Sequence, residues 1–242
     1  MTARAIRLDG REVAYTLKRS ARRRTIGLKV GPEGLVVTLP GRAGEREAER
    51  VIRDKSRWVL KTLEKWADRP APQPLKGVEG EIIPRLGRGL DLRIEPHAKA
   101  RTLIDHDDQA VTVSVDERLD GDLRAATVRR ALERWRRRDA EAVIPPKVIA
   151  WADRLGLPEP VVKLRAQKAR WGSCSSDGVI RMNVRLMAFE DALIDYVCAH
   201  EACHLVEMNH GPRFHALMDR LMPDHRARRR ALAAAAPAGA HF

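Results

Sequence analysis

The run Asp191-Ala192-Leu193-Ile194-Asp195-Tyr196-Val197-Cys198-Ala199-His200-Glu201-Ala202-Cys203-His204-Leu205 decides the reading of this chain. Apolar residues recur through it at helical spacing, and the pattern predicts one helix over 191–208. On that helix His200 and His204 stand one turn apart on the same face, so both imidazoles can reach a single ion. Glu201 lies about 100° further round the helix. It is poorly placed as a ligand and well placed to reach a water on that ion. Burying two histidines and a glutamate without a role would be costly. The pattern H-E-x-x-H therefore points to a Zn²⁺ site, where the ion lowers the pKa of a water to about 7 and the glutamate takes its proton.

Catalytic zinc takes three protein ligands and leaves one position open. Three residues compete for the third place. His210 follows His204 at the offset used by metzincins, although Glu207 stands where those chains carry glycine. Asn209 tolerates the left-handed conformation that would end the helix and swing His210 back. Glu207 is one turn past His204 on the ligand face, and Asp224 lies further downstream. His215 and His225 read as surface or supporting residues.

Upstream, Arg170-Trp171-Gly172-Ser173-Cys174-Ser175 is rich in turn formers and reads as a loop between strands at 161–164 and 179–182. It is either a tight turn with a packed tryptophan or a substrate-edge loop that steadies a developing oxyanion. Downstream, Pro212 sits at a favoured first helical position, and Phe214, Leu217, Met218 and Leu221 share one face. A last basic helix follows Pro223-Asp224, and the alanine-rich end reads as a fraying tail. Further back, a basic helix over 120–143 stops at Pro145-Pro146, and a short one over 147–155 ends at Gly156.

The first third is different in kind. Ile26, Leu28 and Val30 alternate with polar neighbours, a turn follows at 31–34, and a second apolar run occupies 35–39. That is a hairpin signal. Residues 44–67 read as one helix, the proline-rich stretch 69–74 as a linker, and 81–83, 90–94 and 111–115 as short strands. No internal repeat is evident. The fold class predicted is α+β, with a β-rich region over 1–118 that includes one helix, a catalytic core over 119–234 and a disordered tail over 235–242.

Composition narrows the partners. Lys and Arg total 46 against 33 Asp and Glu, for a net charge of +13. That excess favours anionic partners or marks a solvated surface. Arg129, Arg130, Arg134, Arg136, Arg137 and Arg138 could track phosphates without sequence preference. The three cysteines, Cys174, Cys198 and Cys203, form neither a disulfide framework nor a C-x-x-C metal pair. Cys198 and Cys203 read as small core residues. No run approaches the ~20 apolar residues needed to span a bilayer, and residues 1–8 lack a signal-peptide core, so a cytoplasmic protein is expected.

Arg170-Trp171-Gly172-Ser173-Cys174, Asn183-Val184-Arg185-Leu186, Asp195-Tyr196-Val197, the H-E-x-x-H run and Asn209-His210 together resemble the YgjP-like zinc metallopeptidase family, which is related to SprT-like and WLM zincins. Ser20-x-Arg22-x-Arg24 and the segment from Val51 to Trp58 extend the resemblance over about residues 10–234. It implies a zincin-like core, zinc on His200, His204 and His210, and Glu201 as the catalytic carboxyl group. It also favours an active-site role for residues 170–174. Ala202 stands where the family usually has leucine, and His215 follows Phe214 where tryptophan is common. Neither change removes a ligand.

Three functions follow from these residues. The first is a metallopeptidase-like zinc hydrolase. The second is a nucleoside triphosphate pyrophosphohydrolase whose phosphates are clamped by arginines such as Arg170, Arg181 or Arg185. The third is a nucleic-acid-associated protease. An extended groove beside a strand suits a peptide, and a compact arginine-lined pocket suits a nucleotide.

Overall fold

The computed structural model describes residues 2–31, 33–67, 75–167 and 170–239. The expected linker at 69–74 lies outside them. The chain divides into two compact units, Met1–Ala71 and Pro72–Phe242.

In the first unit, strands β1 (Thr2–Leu8), β2 (Arg11–Ser20), β3 (Gly27–Gly31) and β4 (Gly34–Pro40) form a sheet in the order β1-β2-β4-β3. β2 and β4 run parallel, and the other pairs are antiparallel. The period-2 pattern sends Val13, Tyr15, Leu17, Leu35, Val37 and Leu39 to one buried face. Helices α1 (Glu45–Asp54) and α2 (Ser56–Ala67) follow, and Ala48, Ile52 and Val59 join that core. The single helix expected over 44–67 is interrupted at Lys55, whose φ of −110° and ψ of 17° leave the helical region.

The second unit opens by repeating this topology. Strands β5 (Ile82–Arg85), β6 (Arg88–His97), β7 (Leu103–His106) and β8 (Ala110–Asp116) pair in the order β5-β6-β8-β7, again with the second and fourth strands parallel. Even the first turn is repeated. Asp9-Gly10 and Leu86-Gly87 have φ of 46° and 83°, and 48° and 79°. Two consecutive positive φ values are the mark of a type I′ hairpin turn. The repeat escaped detection in the sequence because it is held by alternation and turn geometry, and few side chains are shared.

Helix α3 (Gly121–Arg154) lays Val128, Ala131, Leu132 and Trp135 on the second sheet. The core that α3 shares with that sheet lies within the second compact unit. α3 also runs straight through Pro145 and Pro146. Two backbone bonds are lost there, to the carbonyls of Glu141 and Ala142, but both residues are exposed and water can satisfy them. Ile144 and Val148, both fully buried, hold the helix in place on either side.

Beyond α3, strands β9 (Val162–Arg165), β10 (Gly172–Cys174) and β11 (Ile180–Asn183) form a sheet in the order β10-β11-β9, which leaves β10 at an edge. A 3-10 helix (Val184–Ala188) leads into α4 (Asp191–Cys203), α5 (Pro212–Leu221) and α6 (His225–Gly239). The C-terminal part of α3, α4, α5 and the three-stranded sheet share one core, which includes Ile144, Ile180, Leu186, Ile194, Ala202, Phe214 and Met218. Cys198 and Cys203 are fully buried in it. The fold is α+β. Residues 235–239 of the expected tail are helical, and 240–242 lie outside the described residues.

Candidate metal centre

α4 brings His200 and His204 to one face, with ring centroids 4.9 Å apart. The helix expected to continue to residue 208 stops at Cys203. The next amides bond three residues back: His204 to Glu201, Leu205 to Ala202 and Val206 to Cys203, at 3.0–3.2 Å. This tightening turns the chain on itself. Asn209 is not among the residues with positive φ, so a left-handed asparagine plays no part in the turn. His210 comes back over α4, and its Nε2 stands 3.1 Å from Nε2 of His204 and 3.0 Å from Nε2 of His200. Phe214, fully buried on α5, contacts all three rings at centroid distances of 4.6–4.9 Å. It is the floor of the site, and nothing in its sequence surroundings marked it beyond helical spacing.

Do these residues suit a divalent ion? Tetrahedral Zn–N bonds of about 2.0–2.1 Å place nitrogens about 3.3 Å apart, close to the spacing here. Nδ1 of His204 lies 3.0 Å from the Glu207 carbonyl oxygen. Donation of an Nδ1 proton to that oxygen leaves the Nε2 lone pair facing the other two rings. Burial, and then the imidazoles of His204 and His210, hold His200 down to about 3, so it is neutral; His210 is also lowered, first by burial. Three imidazoles in close contact, with their Nε2 atoms converging, are a set of metal donors. Among the described residues these three are the group whose ligand atoms converge, all within 4.8 Å. Glu207 contributes its carbonyl to His204, and Asp224 pairs with Arg228 at 2.8 Å.

Glu201 is 5% exposed, and its Oε2 has no hydrogen-bond partner. Burial pushes its carboxyl up to about 7, against the opposing effects of the Arg170 charge and the Cys174 backbone N–H. That N–H belongs to β10, so Gly172 to Cys174 form an edge strand against the carboxylate where a turn-rich loop was expected. A Cβ on Gly172 would meet the Glu201 side chain, so glycine is required for the approach.

The other predicted residues have separate places. Trp171 packs edge-on against Phe189 at 4.8 Å. Ser173 pairs with Arg181 across the sheet. The Cys174 thiol is pushed up by burial first and by the Glu201 charge second. Arg170 is exposed, and its carbonyl accepts a 2.8 Å bond from Nδ2 of Asn183. The same amide bonds the Gln167 carbonyl, and the Asn183 N–H donates to Trp171. Buried Asn183 thus anchors the approach to β10, a role the sequence did not reveal. Arg181 turns to Ser175 Oγ at 2.9 Å.

Of the six arginines, Arg130, Arg134, Arg137 and Arg138 are exposed at i, i+4, i+7 and i+8 of α3, on one face. Arg136 is buried, Arg129 donates to the Lys76 carbonyl and Arg137 pairs with Glu141. His225 is buried against Asp219 at 2.9 Å. Among the described residues, no helix is long and apolar enough to cross a membrane.

Three converging imidazoles beside a buried carboxylate are the equipment of a metal-dependent hydrolase. The sequence matches the YgjP-like metallopeptidase domain over residues 24–235, and the chain belongs to that family. It is accordingly a metallopeptidase-like hydrolase, and the family implies a divalent metal. Among solved structures it is similar to the metallopeptidase zymogen of Methanocaldococcus jannaschii jannalysin. The identity is 18%, the match covers 38% of this chain and 88% of that one, and the TM-score is 0.35. No curated protein matches the chain.

Proposed function

We propose that the protein is a zinc-dependent peptidase in which His200, His204 and His210 hold the ion and Glu201 is the general base. The observation that carries this reading is the position of Glu201, buried under edge strand β10 and next in sequence to the first of the converging imidazoles. Three imidazole nitrogen donors suit zinc with a fourth position open. Zinc bound there would supply Lewis acidity for the attacking water and the scissile carbonyl. The remaining chemistry belongs to the protein. An extended peptide adds to the free edge of β10 through backbone bonds, which aligns its carbonyl with the site. Glu201 removes a proton from the attacking water at its unpartnered Oε2 and returns it to the leaving nitrogen.

A second reading, hydrolysis of nucleoside triphosphates, draws on the arginines of α6 that line the cleft beside His200 and His210. Both readings meet one experiment. Zinc-loaded protein is incubated with a peptide mixture or with nucleoside triphosphates, and products are read by mass spectrometry. New peptide termini are expected, with the rate falling at least ~100-fold in Glu201→Gln. Release of pyrophosphate without peptide cleavage would favour the second reading.

A further inference from the structure

A cleft of about 660 Å³ opens from His200 and His210 and reaches α6. Its α6 wall is built by Arg226, Arg229, Arg230 and Ala233. These occupy i, i+3, i+4 and i+7, one face of the helix, while Leu232 is buried elsewhere. Arg226 is neutralised by Asp219 at 3.0 Å, and Arg228, outside the cleft, pairs with Asp224 and Asp195. Among the described residues neither Arg229 nor Arg230 has a carboxylate within ion-pair distance, and no acidic residue lines the cleft. Arg229 is near enough for its charge to act on His200, His210 and Tyr196. The metal centre thus opens onto a positive wall with Tyr196 and Phe214 as its apolar part.

We propose that this cleft is a specificity site for an acidic residue of the peptide substrate, whose carboxylate pairs with Arg229 and Arg230. A planar guanidinium matches a carboxylate with two parallel bonds, and both arginines are exposed, so the pairing is sensitive to salt. The cleft is large enough for more than one residue, so acidic residues near the scissile bond share the effect. This inference rests on the peptidase reading, and its test separates the two.

The test uses full-length zinc-loaded protein and labelled peptides that differ only by Asp or Glu against Asn or Gln around one bond. Cleavage is measured on wild type, and binding is measured by fluorescence polarisation on Glu201→Gln. The acidic peptides are expected to be cleaved and bound at least tenfold better, with the advantage shrinking as salt rises. Arg229→Gln with Arg230→Gln is expected to bring the acidic-to-neutral ratio near one, with zinc content and melting temperature showing that the double variant folds. Equal binding of acidic and neutral peptides, or a preference that survives the double substitution, overturns the inference. An arginine-dependent preference in binding, without cleavage by wild type, keeps the cleft and sinks the peptidase reading. Nucleoside triphosphates bound more tightly than any acidic peptide, and hydrolysed, overturn both.

Discussion

Gly172 lies directly against Glu201: a Cβ at position 172 would stand 2.6 Å from both Cγ and Oε1 of the glutamate. The edge strand and the carboxylate are therefore fitted to one another at van der Waals contact. The spacing depends on the absence of a side chain on β10.

Gly172→Ala is accordingly expected to push the carboxylate aside while leaving the three imidazoles in place. A displacement of about 1 Å costs on the order of 10²-fold in rate. Steady-state kinetics on zinc-loaded protein should show that loss in kcat, with metal content unchanged. Wild-type kcat in this variant would mean that β10 does not position Glu201.

Phe214 underlies all three histidine rings and is 1% exposed. Phe214→Ala should cost about 3–5 kcal/mol of stability through the cavity it leaves. Because the rings lose their floor, zinc affinity should fall as well. Melting curves and a competition titration with a chromogenic chelator check the two effects. Destabilisation with undiminished zinc affinity would place the ordering of the rings elsewhere.

Much of this site was legible in the chain, and for identifiable reasons. His200, Glu201 and His204 are fixed by helical periodicity alone, because i and i+4 on a buried helix leave little freedom. The hairpin of β3 and β4 was equally plain from alternation. Other features depend on tertiary context. Pro145 and Pro146 argue against a helix that the packing of Ile144 and Val148 maintains. β10 is three residues long, too short for a periodic signal, and exists because β11 pairs with it. The end of α4 is set by a run of i−3 bonds that no glycine or proline announces. Arg226, Arg229 and Arg230 looked like any solvated basic helix, since only the position of α6 shows which face meets the metal centre.

Asn183 is 2% exposed and ties Gln167, Arg170 and Trp171 to β11. Asn183→Ala removes both side-chain donor bonds and leaves two carbonyls without them, at a cost of about 2 kcal/mol. The approach to β10 should loosen, so kcat should fall more than the stability loss alone accounts for at temperatures where the variant is fully folded. Chemical denaturation beside single-turnover kinetics separates these effects, and an unaltered kcat would make Asn183 purely structural.

The metal-free protein should carry a distinct pH signature. Burial, the largest influence, raises Glu201 to about 7 from an ordinary 4.5. The stability tied to its protonated form is full below pH 4.5 and is lost as pH rises through 7. His200 works in the opposite direction, lowered to about 3 from 6.5 by burial first. Its contribution is full above pH 6.5 and is lost as pH falls toward 3. The two effects place maximum stability of the chelated protein at about pH 5–6. Glu201→Gln removes the alkaline loss and should exceed wild type at pH 8 by up to about 3 kcal/mol. Parallel melting profiles for wild type and Glu201→Gln from pH 5 to 8, in chelator, would contradict a buried, proton-holding carboxyl.

The central claim is a three-histidine metal centre with Glu201 outside its ligand set. The measurement that tests it most directly is bound metal per chain, by inductively coupled plasma mass spectrometry, for wild type, Glu201→Gln and His210→Ala purified side by side. About one zinc is expected in wild type and in Glu201→Gln, with clear loss in His210→Ala. Full zinc retention in His210→Ala, or its loss in Glu201→Gln, would contradict it.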